Sequence, residues 1–448
     1  MNLKNILKIS AIVVGIGIVS TPLIYQKQIN KSLNIATKEL KQNNILIQEK
    51  QNNDTFVKLN REYILTIEDS TYLIKKLYPE IDPYTLEDLK TLLDNSKLLI
   101  KLNLIKYPIY HKNAITISLL SVNEKLSKDL SNDKMGLQLL EFIKNKGLTA
   151  FVDINNLDIA KAKLKDINLK LSNNKEFLKF VFLNSYMEFD NKDIKTHISD
   201  LSLELKDNED ILFKFQNINH NVIYQNEFNY KTNLVIDKIN YKSIGYSDNT
   251  DFIIQNLNSD SKVSSTLNRL NLENNIKFQN LTLNEKNSYS NNKLELNNFK
   301  FNLKLEKIDL NSLKKLSLAL QKQDYTDIER YIQTIINKGF SLKISPISLQ
   351  KANLQTNNQN INISKIGIDF NAIIKSNNID IDKIDTIFDY LNADLHIITT
   401  KENIELLQKL VPISTLYLQN IIVEKNNHIM INLSYKNNTL LSNGKKLF

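Results

Sequence analysis

The sequence predicts an α+β, β-rich fold: a large curved antiparallel sheet of one-faced, bent strands with inserted helical hairpins, preceded by an N-terminal transmembrane helix. Three observations predict it. An uncharged apolar run lies near the start of the chain. A pattern of apolar-x-apolar, two polar residues, apolar-x-apolar recurs between residues 152 and 423, and capped helical segments interrupt it twice.

Lys4 and Lys8 precede an uncharged run from Ile9 to Gln26, whose apolar side chains are Ile9, Ile12, Val13, Val14, Ile16, Ile18, Val19, Leu23 and Ile24. A spanning helix needs about 17 to 25 residues, and the run overlaps both that range and the apolar region of a signal peptide. Residues 19–24 read VSTPLI, without a small-x-small cleavage pattern, and the chain has no Cys for lipid attachment. An uncleaved anchor is therefore favoured. Basic residues remain on the cytoplasmic side of a membrane. With Lys4 and Lys8 inside, the body of a bacterial chain faces the periplasm as a single-pass inner-membrane protein, although Lys27 and Lys31 pull the other way.

The organisation expected from the chain's 448 residues is a cytoplasmic tip and anchor at 1–26, a helical stalk at 27–54, and a mixed α/β region at 55–150. A β-rich, repeat-like sheet at 151–305 and helical hairpins with C-terminal strands at 306–448 complete it. The stalk rests on Leu33, Leu40 and Ile47, seven residues apart on a polar background. In the mixed region, strand-like pieces run from Val57 to Ile67, Leu98 to Ile105 and Ala114 to Leu120. Asp82 and Pro83 read as the cap and first residue of a helix reaching Leu93, and a second helix begins near Asp133 and ends at Gly147.

The recurring pattern appears at Val152, Ile154, Leu157, Ile159; at Ala162, Leu164, Ile167, Leu169; and at Phe213, Phe215, Ile218. It returns at Leu234, Ile236, Ile239, Tyr241; at Ile276, Phe278, Leu281, Leu283; and at Leu294, Leu296, Phe299, Phe301. Further copies lie at Ile361, Ile363, Ile366, Ile368 and at Leu416, Leu418, Ile421, Val423. Alternation of period two marks strands with one apolar face, and the polar pair shifts the phase while keeping that face inward. The pair is either a tight hairpin turn or a bulge that bends a continuous strand. Two-residue hairpins favour Asn-Gly, and Gly is nearly absent from these pairs, so bent strands are favoured. The predicted inner face includes Phe213, Phe215, Ile218, Ile236, Ile276, Phe278, Leu281, Leu296, Phe299 and Phe301.

Two helical pairs interrupt the strands. Asn311 to Leu320 is followed by Thr326 to Lys338, with Thr326 and Glu329 as a capping box and Gly339 as C-cap. The second pair runs from Ile381 to Leu391 and from Thr400 to Leu410, opened by Thr399 and Glu402 and stopped before Pro412. Strands from His428 to Tyr435 and Thr439 to Ser442, then an Asn443-Gly444 turn, close the chain.

Of the net charge of +9, +5 lies in residues 1–50, and further on lysines alternate with Asn, Asp and Glu. No dense basic stripe with interleaved aromatics forms, which argues against nucleic acid. The absence of Cys excludes disulfide scaffolds, thiol enzymes and Cys-ligated metal sites. His111, His197, His220, His396 and His428 lack metal-ligand spacing, so no metal or cofactor is expected. Ser172 with Lys175 and Ser312 with Lys315 match Ser-x-x-Lys without its companion motifs. Asp382, Asp385 and Asp389 form a solvated helical stripe lacking the Gly and Glu of a calcium loop. No catalytic residue is assigned.

The tail YKNNTLLSNGKKLF at 435–448 resembles the C-terminus of the YdgA-like family of bacterial membrane-anchored proteins of unknown function. The segments LNADLHI at 391–397, GFSLKISPISL at 339–349 and YQKQINK at 25–31 are similar to the family's corresponding regions. The resemblance covers residues 305–448 and the N-terminus. It implies a single-pass inner-membrane protein with a periplasmic body, and because none of its motifs is catalytic it carries over no functional residue. The expected role is a binding or scaffold protein of the cell envelope that is not an enzyme and meets the inner membrane through its N-terminal helix; the apolar face of the curved sheet either is filled by the protein's own helices and an opposing sheet, or shelters an apolar, lipid-like ligand. The alternative is a structural envelope protein acting through protein partners. A hydrolase with an unrecognised acidic or Ser site is the weaker reading.

Overall fold

The computed structural model describes residues 37–447 apart from 56–57, 78–80, 106–110, 156–158, 191, 208, 227, 323, 358, 378–384, 409–420 and 426–427, and before residue 37 it describes 30, 34 and 35. The anchor residues Ile9 to Ile24 and the strand copy at Leu416 and Leu418 lie outside the described residues. Among the described residues no helix is long and apolar enough to cross a membrane. The chain is β-rich, with twenty-two strands among the described residues. It divides into two compact units, Met1–Asp210 and Ile211–Phe448.

The first unit contains β1 (Ile45–Asn52), β2 (Lys58–Ile67), α1 (Thr71–Leu77), α2 (Pro83–Leu93), β3 (Lys97–Ile105), β4 (His111–Ser121), α3 (Glu124–Ser131) and α4 (Lys134–Lys144). It continues with β5 (Thr149–Asn155), β6 (Ile159–Leu164), β7 (Ile167–Ser172), β8 (Phe177–Leu183), β9 (Tyr186–Asp190) and β10 (Asp193–Lys206). From β1 to β6 each strand pairs antiparallel with the next. β6 with β7, and β8 with β9, are each one strand interrupted midway. Ile159 opposite Asp190 and Ile167 opposite Phe182 keep a single register across the break. The Lys165-Asp166 pair is thus a bend, whereas Asn155 opposite Ile159 makes the preceding copy a hairpin. Both meanings of the polar pair occur.

Leu59, Leu102, Leu104, Ala114, Ile115, Val152 and Ile154 form the core of this unit. Asp153, 1% exposed, receives the backbone N–H of Asn113 at 2.8 Å and pairs with Lys163 Nζ at 2.9 Å. It thereby satisfies the irregular stretch of β4 between His111 and Ile115. Asp82 caps α2 as expected, accepting from the N–H of Tyr84 at 3.0 Å and of Thr85 at 2.9 Å. Asp133 caps α4 in the same way. The helical stalk requires correction. Residues 37–42 are helical, but Asn44 turns the chain with φ 58, and Ile45 and Ile47 stand opposite Ile67 and Leu65 in β1. Burial against β2 outweighs a spacing of three apolar residues.

The second unit contains β11 (Asp210–Asn226), β12 (Asn229–Ile244), β13 (Asp248–Thr266), β14 (Arg269–Asn287), β15 (Asn291–Asp309), α5 (Leu310–Lys322), α6 (Tyr325–Asn337), β16 (Phe340–Gln355) and β17 (Asn360–Ile374). After α7 (Asp385–Phe388) come β18 (Leu391–Thr400), α8 (Lys401–Gln408), β19 (Ile422–Lys425), β20 (His428–Lys436), β21 (Thr439–Ser442) and β22 (Lys445–Lys446). β12 to β18 pair antiparallel, each with the next. β18 then pairs with β20, whose other edge is shared by β19 and β21. β12, β13, β14, β15, β16 and β17 are 15 to 19 residues long, about three times the usual strand. The terminal turn forms as expected, with Asn443 at φ 49 and Gly444 at φ 80.

The helical hairpin α5–α6 connects β15 to β16, and Gly339 ends it at φ 70. The cap of α6 is Asp324, which accepts the N–H of Asp327 at 3.1 Å. Thr326, expected to be the cap, already lies inside the helix; the aspartate two residues earlier captures the first turn. The first helix of the second pair ends at Phe388, before its expected end at Leu391. Leu391 begins β18, because pairing Leu391 with Ile374 and Ala393 with Ala372 satisfies the backbone that a helix would otherwise use. α8 is described from Lys401 to Gln408, and the expected remainder of that helix and Pro412 lie outside the described residues.

Asp309 joins strand to hairpin. It is 3% exposed, accepts the N–H of Ser312 at 2.8 Å as the cap of α5, and pairs with Lys338 Nζ at 2.9 Å. Burial alone would raise its carboxyl, but hydrogen bonds from Ser312 and Lys338 outweigh it and hold the group below the ordinary carboxylate range. Its contribution is therefore present above the unfolded value of about 3.9 and is lost as pH falls through the lower folded value. Asp309→Ala is expected to lower the unfolding free energy by about 1 to 2 kcal/mol at neutral pH. In urea denaturation, the difference from the native chain should close well below pH 4, as the carboxyl protonates in both states.

Candidate functional site

The long strands of the second unit set their apolar residues in rows that cross the sheet. Tyr241, Phe252, Leu283, Leu294, Leu354 and Ile361 stand opposite one another in turn. Beside them run Ile239, Ile254, Leu281, Leu296, Ala352 and Ile363. Further along the strands come the pairs Ile236 with Leu257, Phe278 with Phe299, and Leu349 with Ile366. The next row is Leu234, Ser259, Ile276, Phe301, Ile347, Ile368, Ile397 and Ile431.

Between the second row and the third pairs lies a polar seam. Asn217, Asn256, Asn298 and Lys365, on the odd-numbered strands β11, β13, β15 and β17, have φ of 52, 54, 53 and 41. This left-handed conformation is one that asparagine tolerates better than other side chains with a Cβ. The intervening strands contribute Asp237, Gln279 and Gln350, and all seven residues are exposed. Asn217 Nδ2 donates to Asp237 at 2.7 Å, Asn256 to Gln279, and Asn298 to Gln350. A parallel bond runs from Asn280 Nδ2 to Gln255 at 2.8 Å.

Every strand shifts phase at the same line, so the register survives. Phe278 opposite Phe299 and Asn280 opposite Asn297 flank the seam without slippage. Two successive polar side chains turn to the solvent side, and the apolar rows before and after share the other face. The seven-residue seam is the physical form of the recurring polar pair, and it resolves those copies as bends in continuous strands.

The predicted inner-face residues join these rows. Phe213 packs on Tyr241 with ring centroids 4.6 Å apart, and Phe278 stacks on Phe299 at 4.9 Å. Ile276 faces Phe301 and Leu281 faces Leu296. Ile236 is buried at 7% exposure, whereas Phe213 remains 40% exposed. Phe215, Ile218, Ile276, Phe278, Leu281, Leu296, Phe299 and Phe301 are all half-buried. β13 and β16 carry the same phase shift without the full motif. Phe252, Ile254 and Leu257 flank Gln255-Asn256 in the same phase, but Ser259 breaks the motif. Ile347, Leu349, Ala352 and Leu354 flank Gln350-Lys351, and there the small Ala352 and nearby Pro346 mask it.

Polar groups gather elsewhere. Ser345 Oγ donates to Asp369, which stands opposite His396, and His396 Nδ1 bonds to Asn432 Oδ1. Asn432 Nδ2 then donates to Asn443 at 2.9 Å. The serine hydroxyl is bonded to the carboxylate and the histidine to an amide, which is not the nucleophile-to-base pairing of acyl transfer. His220 alternates with Ile218 and Val222 on β11, and burial pushes its imidazole below the ordinary value. Ser312 and Lys315 lie in α5, where Ser312 serves the cap interaction with Asp309. Asp389 accepts from Asn438, while Asp382 lies outside the described residues. Among the described residues no group of three or more His, Asp or Glu could hold a metal ion.

No protein-family profile matches this chain, and neither a curated protein nor a solved structure does.

Replacing Asn298 by Val puts a β-branched residue at φ 53 and removes the bond to Gln350; a loss of about 1 to 2 kcal/mol is expected, read by chemical denaturation. Asn298→Gly should lose less than half of that, because glycine adopts the conformation without strain. For His220, the unfolded chain takes up a proton at a higher pH than the folded one, so stability falls as pH drops through about 6.5. His220→Phe should be the more stable chain at pH 5 relative to its standing at pH 8.

Proposed function

We propose that this chain is a membrane-anchored envelope protein of the bacterial periplasm, similar to the YdgA-like proteins, which binds an apolar, lipid-like ligand on the curved long-stranded sheet. The observation that carries this reading is the set of apolar rows across β12 to β18, half-buried over most of their length on one face. Two packed sheets would bury such residues almost completely. In this unit one buried apolar cluster, around Val263, Leu270 and Leu310, sits at the strand ends beneath α5, and another, Ile404, Ile422 and Ile429, packs against Ile431 at the far end of the last row. Among ten buried side-chain polar atoms that lack a hydrogen bond among the described residues, the one within the apolar alternation of β14 points to an amphiphile. Asn274 lies in the apolar alternation of β14 between Leu272 and Ile276, opposite Leu303, and its buried Oδ1 accepts no hydrogen bond. A buried acceptor of this kind is ordinarily satisfied, and an amide or hydroxyl on the ligand supplies the donor. Binding rather than catalysis is the reading favoured by Ser345 and His396, whose hydrogen bonds run to other partners. The N-terminal helix supplies the attachment to the inner membrane.

Residues 28–448, exported and purified without detergent, are expected to yield phospholipid or another apolar molecule at about one per chain in mass spectrometry of an organic extract. Phe299→Glu, which places a charge in the middle of the rows, should reduce the recovered ligand at least about tenfold while preserving the far-UV spectrum. A clean extract from the native body would remove the ligand reading and leave a structural protein acting through partners.

A further inference from the structure

On the opposite face of the same unit, near the α5–α6 hairpin, is a hollow of about 970 Å³. Its composition sets it apart. Lys262, Arg269, Lys304, Lys307, Lys338 and Lys375 line it against only two carboxylates, Glu273 and Glu306. The face follows from register. Lys262, Glu273, Lys304 and Lys343 stand opposite one another in turn, one residue out of phase with the row of Val263, Leu272, Leu305 and Leu342.

Three of the six cations build the walls. Arg269 donates to the carbonyls of Lys307 at 2.7 Å, Lys338 at 3.1 Å and Gly339 at 3.3 Å, joining β14, the end of β15 and the end of α6. Lys304 pairs with Glu273 at 2.8 Å, and Lys338 with Asp309 at 2.9 Å. The other three, Lys262, Lys307 and Lys375, are exposed and have no ion pair among the described residues. Lys307 is also held in a conformation that lysine rarely adopts, φ 65, by Asn271 Oδ1, which accepts its N–H at 2.9 Å. Strain of this kind persists where surrounding structure imposes it. Apolar surface completes the rim: Leu267 at the β13–β14 tip is 99% exposed and Ile373 is 41% exposed, and both line the hollow.

We propose that this hollow binds a phosphate-bearing anion, with Lys262, Lys307 and Lys375 as its ligands and Arg269 as the residue that fixes the backbone at Lys307. Three exposed ammonium groups around a concave surface, of which Lys262 also acts on Glu273 across the strand pair, concentrate field on a multiply charged ligand, and three charge-assisted hydrogen bonds suit the oxygens of a phosphate. Leu267 and Ile373 lie where an attached apolar chain would leave the hollow. Lys262 and Lys304 stand out of phase with the apolar rows, and Leu272, Phe340 and Ile374 of the apolar phase reach the hollow at the strand ends.

The test uses the full chain in a neutral detergent, with dihexanoyl phosphatidylglycerol, its phosphatidylcholine counterpart and inorganic phosphate as probes in a calorimetric titration. Saturable binding of phosphatidylglycerol or of phosphate is expected, weakening as added salt screens the lysines. Lys262→Gln/Lys307→Asn/Lys375→Gln should reduce affinity at least about tenfold, equivalent to about 1.4 kcal/mol; Asn at 307 keeps the left-handed backbone. Lys125→Gln/Lys128→Gln/Lys144→Gln, with the same net charge, should bind as the native chain does. Displacement of phosphatidylglycerol by phosphate makes the bare anion the recognised group, while phosphatidylglycerol binding that phosphate leaves intact makes it a lipid headgroup. Lack of saturable binding to either probe, an unaffected site triple variant, or equal loss in the two triple variants overturns the proposal.

Discussion

The second unit depends on one constraint: neighbouring strands must change phase at the same place. A single strand that slipped by one residue would turn its apolar side chains to the polar face and leave its neighbours unmatched. Here the shift is made by a left-handed residue on β11, β13, β15 and β17 and answered on the strands between by Asp237, Gln279 and Gln350. The side-chain bonds along the seam, Asn217 to Asp237 and Asn298 to Gln350 among them, tie each bend to the next. The constraint makes strands of up to 19 residues possible without loss of a common apolar face.

The same geometry separates two chemistries. On one face the rows from Tyr241 to Ile361 and from Leu234 to Ile431 present apolar surface in continuous bands. On the other, Lys262, Glu273 and Lys304 form a charged row, and the α5–α6 hairpin walls it at one end. Asp309 links the hairpin to β15 through its cap bond to Ser312 and its ion pair with Lys338. Lys338 and Gly339, at the end of that hairpin, offer the carbonyls that Arg269 grips. Stability of the hairpin and shape of the cationic hollow therefore rest on the same few residues.

The first unit reaches its fold by a more ordinary route. Its strands are shorter and its core residues, such as Leu59, Leu104 and Ile115, are almost fully buried. Its bends are breaks between β6 and β7 and between β8 and β9, with the pairing register intact across each. The polar pair thus has two uses in one chain: at 165–166 it interrupts a strand, and in the second unit it bends one without interruption.

Period-two alternation, the phase shift at polar pairs and the caps at Asp82 and Asp133 are local properties, and the sequence by itself determined them. The scarcity of glycine at the polar pairs, which argued against hairpins, made the bends legible in the same way. Tertiary structure decided the rest. It placed Ile45 and Ile47 in a strand instead of a stalk, because burial against β2 exceeds the weak preference of an isolated polar helix. It moved the α6 cap from Thr326 to Asp324 and began β18 at Leu391, where pairing with β17 satisfies the backbone. It brought Phe252 and Ile347 into rows that their own strands only partly announce. Above all it aligned Asn217, Asp237, Asn256, Gln279, Asn298, Gln350 and Lys365 into one line, and gathered Lys262, Lys307 and Lys375 around one hollow. Those groupings depend on the pairing register across strands, a relation between distant residues that no local pattern contains.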